Sequence, residues 1–184
     1  MKVFFKTYSY DVLKMFLNQF ATAVFGCALA FAAGAAKSPT LRNVTSVIAI
    51  LFYLFLLYSM TWDIGYREKV AVENGRIKRC AWRGALIALC ANSLNFLFAV
   101  LMLLPQLLNV GFFSTVGGIS SFLALFLEGM YIGLLANTVG GVPLNAMWWV
   151  WFLIPIPSIL TCALAYRMGL ADFKLSVALF GKKK

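Results

Sequence analysis

The sequence predicts an all-α polytopic membrane protein with five to six transmembrane helices, one of its segments re-entrant or broken at proline. Three observations predict it. First, 62% of the 184 residues are apolar and 12% charged, with a mean hydropathy of +0.88, against roughly 45–50% and about 25% in a soluble domain. A chain of this length cannot hide so much apolar surface from water, so lipid must solvate most of it. Second, apolar windows near the length that crosses a hydrocarbon core recur along the chain. Third, the basic excess, 16 Lys and Arg over 6 Asp and Glu, sits in short connectors and toward the ends of the chain. That is the positive-inside pattern rather than a nucleic-acid footprint, so no nucleic-acid partner is expected. The whole chain, residues 1–184, forms a single transmembrane domain.

Five windows carry the spans, at 12–36, 44–62, 84–104, 119–137 and 146–166. Each is expected to be helical, because an isolated strand leaves its backbone unpaired in lipid and the alternation of a barrel is absent. The first span presents a small-residue face through Gly26, Ala30 and Gly34, suited to close helix packing within the chain or against a partner. Mixed aromatic residues and lysines at 1–14, and the lysine-ended stretch 171–184, are expected to lie on an anionic leaflet.

The second span ends in the densest polar cluster, Asp63, Arg67 and Glu68, with Asp63 and Arg67 spaced for a helical ion pair. The basic loop at 64–83 follows, with Arg76, Lys78 and Arg79 around the turn signal Asn74-Gly75. Its charge makes it cytoplasmic and places the N-terminus on the same side. It can hold anionic lipid headgroups or a cytoplasmic protein, and the turn joins either two extended helices or a small hairpin.

Span number then conflicts with charge. Five crossings divide the basic residues 9 to 7 between the two sides, whereas an even number divides them 14 to 2. The even split fits the rule, so one apolar region between Arg83 and Arg167 is expected not to cross simply. Two places can supply the irregularity: Pro105 with Gly111, Gly117 and Gly118, and Pro155-Ile156-Pro157. The cytoplasmic side then also takes the C-terminus, in the inner membrane of a bacterium.

Glu128 is the only charge between Arg83 and Arg167. At the centre of a span a carboxylate costs on the order of 2.5–3.5 kcal/mol, which makes it a functional candidate, to bind a cation or relay a proton, beside a purely structural reading. Gly129 and Gly133 follow as a GxxxG face. Asn92 and Asn95 share one helical face of the third span and need polar partners. Glu128, Asn92, Asn95, Trp148 and Trp151 are therefore the expected ligand-binding set, the tryptophans serving as a pocket wall or an interfacial belt.

Catalysis is not expected. The chain has no His, no CxxC pair among four scattered cysteines and no phosphate-binding loop, so neither a cofactor nor a metal is anticipated. At Trp62-Asp63-Ile64-Gly65, in the basic loop, and at Tyr166-Arg167-Met168-Gly169 with its lysine tail, the chain resembles uncharacterised small polytopic membrane proteins of Firmicutes-type bacteria, a resemblance that implies no activity. In size and in its first-span face it also resembles, more weakly, the substrate-binding components of energy-coupling factor transporters. The expected function is transport-related: small-solute binding, or the membrane subunit of a transporter. The alternative is a non-transporting accessory protein that assembles through its small-residue faces.

Overall fold

The computed structural model describes residues 2–108 and 111–173. Helix α1 (Lys2–Ala35) and α2 (Pro39–Glu73) form a long hairpin, followed by α3 (Arg83–Ala91), α4 (Ser93–Leu108), α5 (Gly111–Leu127), a 3-10 turn (Gly129–Tyr131), α6 (Ile132–Leu135), α7 (Trp148–Leu153) and α8 (Pro155–Leu170). Ser38 starts α2 by accepting the Leu41 amide at 3.3 Å, and Pro39 occupies the first helical position, where its missing N–H costs nothing. Asn74 ends the helix and Gly75 takes the left-handed conformation (φ 67°) that the turn requires.

Among the described residues three helices are long and apolar enough to cross a membrane: Phe4–Ala35, Pro39–Glu73 and Trp148–Leu170. Two bent pairs raise the number to at most five: α3 with α4, turned by 56° at Asn92, and α5 with the segment after Glu128, turned by 85°.

Contacts fix the path. Helices α1 and α2 are antiparallel, with Tyr8 bonded to Glu68, Asn18 to Met60 and Phe25 against Phe52. Helix α8 runs parallel to α2. Glycines let these backbones touch: a Cβ at Gly65 would strike the Tyr166 carbonyl, one at Gly84 the Cys162 carbonyl, and one at Gly169 the Trp62 carbonyl. Helix α3 therefore starts at the basic end and α4 climbs toward the Pro39 end, where α5 turns back beside it.

Helix α5 does not reach the basic end. At Glu128 it lies level with Gln19, midway along α1. The chain then returns: Gly129 packs on Ala23, Gly133 on Arg42 and Ser46, and Asn137 bonds to Asn43. Four lengths of chain thus run from end to end of the bundle, and a fifth enters and leaves by the Pro39 end. A two-stranded hairpin (Thr138–Val139 with Val142–Pro143) tops that end before α7 begins the last length.

Several expectations are corrected here. The fourth window is not one helix: Glu128 sits at its break, and Gly129 and Gly133 lie on the return. Pro105 is inside α4 and does not end it, while Pro155 opens α8 after a single-residue interruption, so that Trp148–Leu170 still counts as one length. Residues 4–14 continue α1 without a break, with Tyr8 only 6% exposed. Of the loop expected at 64–83, the part through Glu73 is helix, with Ile64 and Gly65 buried, and no hairpin forms about Asn74-Gly75. The stretch beyond residue 173 lies outside the described residues.

Candidate functional site: a carboxylate at the tip of the returning segment

The mid-bundle layer is built from backbone breaks. Glu128 is 3% exposed, and Gln19 Nε2 donates to its Oε1 at 3.0 Å. Across from it, the Tyr53 side chain faces Ser158 and lies within electrostatic reach of Glu128 and Tyr131. The Tyr131 hydroxyl donates to the Ile154 carbonyl at 3.5 Å, at the α7–α8 interruption. Asn92 caps α3, and its Nδ2 donates to the Ala88 carbonyl (2.8 Å) and to Ser158 Oγ (3.2 Å). Asn95 Nδ2 donates to Asn92 Oδ1 at 2.9 Å, and Ser158 Oγ to the Pro155 carbonyl at 2.7 Å. The breaks at Asn92, Glu128 and Ile154 are therefore joined through side chains at one level, where interrupted backbone is covered by protein.

Of the expected ligand set, Glu128, Asn92 and Asn95 share this layer: the two asparagines are bonded to each other and Asn92 to Ser158, and Tyr53 stands between Ser158 and Glu128 without a bond to the carboxylate. Trp148 and Trp151 do not. They line a separate cavity of about 210 Å³ nearer the Pro39 end, together with Gln106, Ser121 and Asn145. The sequence reading missed Gln19, Tyr53, Tyr131 and Ser158. Gln19 carries the one available signal, an amide inside an apolar window.

Among the described residues no basic side chain forms an ion pair with Glu128. An ionised carboxylate held away from water without a cation is costly, so a proton or a bound cation has to neutralise it. Replacing Asn92 with Leu should strand Asn95 and Ser158 without their shared partner. A loss of roughly 1–2 kcal/mol is expected in denaturant unfolding of the micelle-bound protein.

A second polar cluster closes the basic end. Glu68 accepts from the hydroxyls of Tyr8 and Tyr166, both at 2.5 Å, and pairs with Arg83. Arg83 also reaches the Tyr166 hydroxyl (3.3 Å) and the Lys78 carbonyl (3.2 Å), and lies 5.7 Å from the centre of the Tyr8 ring. Glu68 was expected in this cluster, but its partners from α1, α3 and α8 were not. The spacing of Asp63 and Arg67 gives the expected pair at 3.1 Å, with Asp11 of α1 added at 3.7 Å. Arg76, Lys78 and Arg79 make no ion pair among the described residues.

The expected packing residues divide. A Cβ at Gly26 would strike Met130, one at Gly129 the Ala23 carbonyl, and one at Gly133 the Arg42 carbonyl, so these faces are covered by the chain itself. Gly34 faces open space and Ala30 is half-buried, Ala23 and Ala33 being buried alanines of that helix.

No family model, curated protein or solved structure matches the chain. The resemblances noted from sequence stand on their motifs alone.

Proposed function

We propose that the chain is a transport-related integral membrane protein in which Glu128 is the coupling group. One observation carries this reading: the only charge between Arg83 and Arg167 stands at the tip of a segment that enters the bundle and returns by the same end. Broken segments of this kind bring polar backbone and side chains to mid-membrane depth, which is where transporters bind substrates and coupling ions. Four crossings with the α5–α6 segment re-entrant put both chain ends on the basic side, in agreement with the 14 to 2 division of basic residues. That side is cytoplasmic and the membrane is a bacterial inner membrane. Anionic headgroups meet the unpaired Arg76, Lys78 and Arg79.

For the accessory-protein alternative, Gly34 is the member of the expected packing glycines left open to a partner, since Gly26, Gly129 and Gly133 make contacts within the chain. The test is solute-driven proton entry. Proteoliposomes of the purified chain, loaded with a pH-sensitive dye, receive a defined mixture of sugars, polyols, amino acids and nucleobases. Luminal acidification that Glu128→Gln lowers at least tenfold is the expected result. No solute-dependent acidification, or equal rates for both proteins, would overturn the reading.

A further inference from the structure

We infer that the Trp148–Trp151 cavity is the solute site, and that its ligand is a small, uncharged, hydroxyl-bearing ring of monosaccharide or cyclitol size. This rests on the transport reading above and names its substrate class. The cavity lies between the α4–α5 pair and the start of α7, at the end through which the α5–α6 segment enters and leaves. Its volume of about 210 Å³ is below that of pockets for drug-sized ligands and suits one substituted six-membered ring.

The walls select chemistry. Among the described residues no charged side chain lines the cavity, so none of them rewards an ion for losing its water. Gln106 and Asn145 stand exposed at the mouth of the cavity: neither side-chain amide makes a hydrogen bond among the described residues, and each offers a ligand both a donor and an acceptor. Ser121, whose hydroxyl donates to the Gly117 carbonyl at 2.9 Å, keeps lone pairs for a ligand donor. Paired donors and acceptors without charge match vicinal hydroxyls.

The indoles supply the apolar half. Trp151 is 4% exposed, and its ring is held by an Nε1 bond to the Asn145 carbonyl at 3.1 Å, so it is a fixed wall. Trp148, 39% exposed, is set edge-on to Phe152 with ring centres 6.3 Å apart. Rigid indole surface suits the C–H face of a saturated ring while the amides take its hydroxyls. On the facing side, a Cβ at Gly117 would run into Pro105, so that wall is bare backbone and ring. Ser121 and Glu128 lie seven residues apart on the way down α5, about 10 Å of helix. A solute pressing on Ser121 therefore acts on the element that ends at the carboxylate.

The experiment is saturation-transfer NMR on the full chain in lipid nanodiscs, with D-glucose, myo-inositol, uracil and tetramethylammonium as separate probes. Saturable transfer to glucose or inositol is expected, weakened at least tenfold by Trp148→Ala and by Gln106→Leu with Asn145→Leu. Transfer to uracil or tetramethylammonium alone, or to none of the four, overturns the ligand class. Binding that the cavity substitutions leave unchanged overturns the site. Ring binding without Glu128-dependent acidification in proteoliposomes overturns the transport reading and leaves the cavity assignment in place. A chain that fails to purify after Trp148→Ala is replaced by Trp148→Phe, for which a smaller loss of affinity is expected.

Discussion

Replacing Glu68 with alanine is expected to destabilise the protein by about 3 kcal/mol, a large loss for one side chain. Glu68 and Arg83 are only 12% and 13% exposed, and two tyrosine hydroxyls converge on the same carboxylate. Removing it leaves a guanidinium without its counter-charge and takes an acceptor from helices α1, α3 and α8 at once. Tyr166→Phe and Tyr8→Phe each remove one charge-assisted bond and should cost roughly 1.5 kcal/mol. Because the four groups act as a unit, Glu68→Gln combined with Arg83→Gln should cost less than the sum of the single changes. Unfolding in mixed micelles, followed by circular dichroism, measures each loss. Additive effects would show that the cluster is four independent contacts.

Gly129→Leu should be more disruptive than a change at any exposed glycine. A Cβ at this position would meet the Ala23 carbonyl and Cys27 Sγ, and the reciprocal contact from Gly26 reaches Met130 and the Gly129 carbonyl carbon. Two backbones therefore touch, and neither can give way as a side chain would. A cost of about 3 kcal/mol or more is expected, with the returning segment displaced from α1. Gly34→Leu is the control, since nothing lies near that position. Limited proteolysis of the 138–147 connection, together with unfolding, distinguishes the two. Equal behaviour would mean that the α1 contact does not hold the return segment.

How much was legible follows from the physics of each residue. Hydropathy alone located the long lengths, because α1, α2 and Trp148–Leu170 are each apolar over a stretch long enough to cross a membrane. It could not locate the bends. The window around Glu128 remains apolar on both sides of the break, and hydropathy is indifferent to direction. The Glu128-Gly129 pair was the available signal for that break. Asn92-Ser93 was the equivalent signal for the α3–α4 bend, since both residues favour helix ends over helix interiors. Pro105 misled because a proline costs α4 one hydrogen bond, which is bearable near a helix end packed against Gly117. Tyr8, Arg83 and Tyr166 could not have been joined to Glu68 from sequence, because the contact needs four helices to meet. The separation of Trp148 and Trp151 from Glu128 is of the same kind: it depends on where α5 stops.

In the proposed topology the α5–α6 segment enters and leaves the membrane on one side, with Glu128 at its tip. Single cysteines at Val139, Gly75 and Asp172 in a variant lacking the four native cysteines test it most directly, through labelling of intact cells by an impermeant maleimide. Val139→Cys is expected to label in intact cells, while Gly75→Cys and Asp172→Cys label only after permeabilisation. Labelling of Asp172→Cys in intact cells, with Val139→Cys protected, would mean that the segment crosses and would contradict the account.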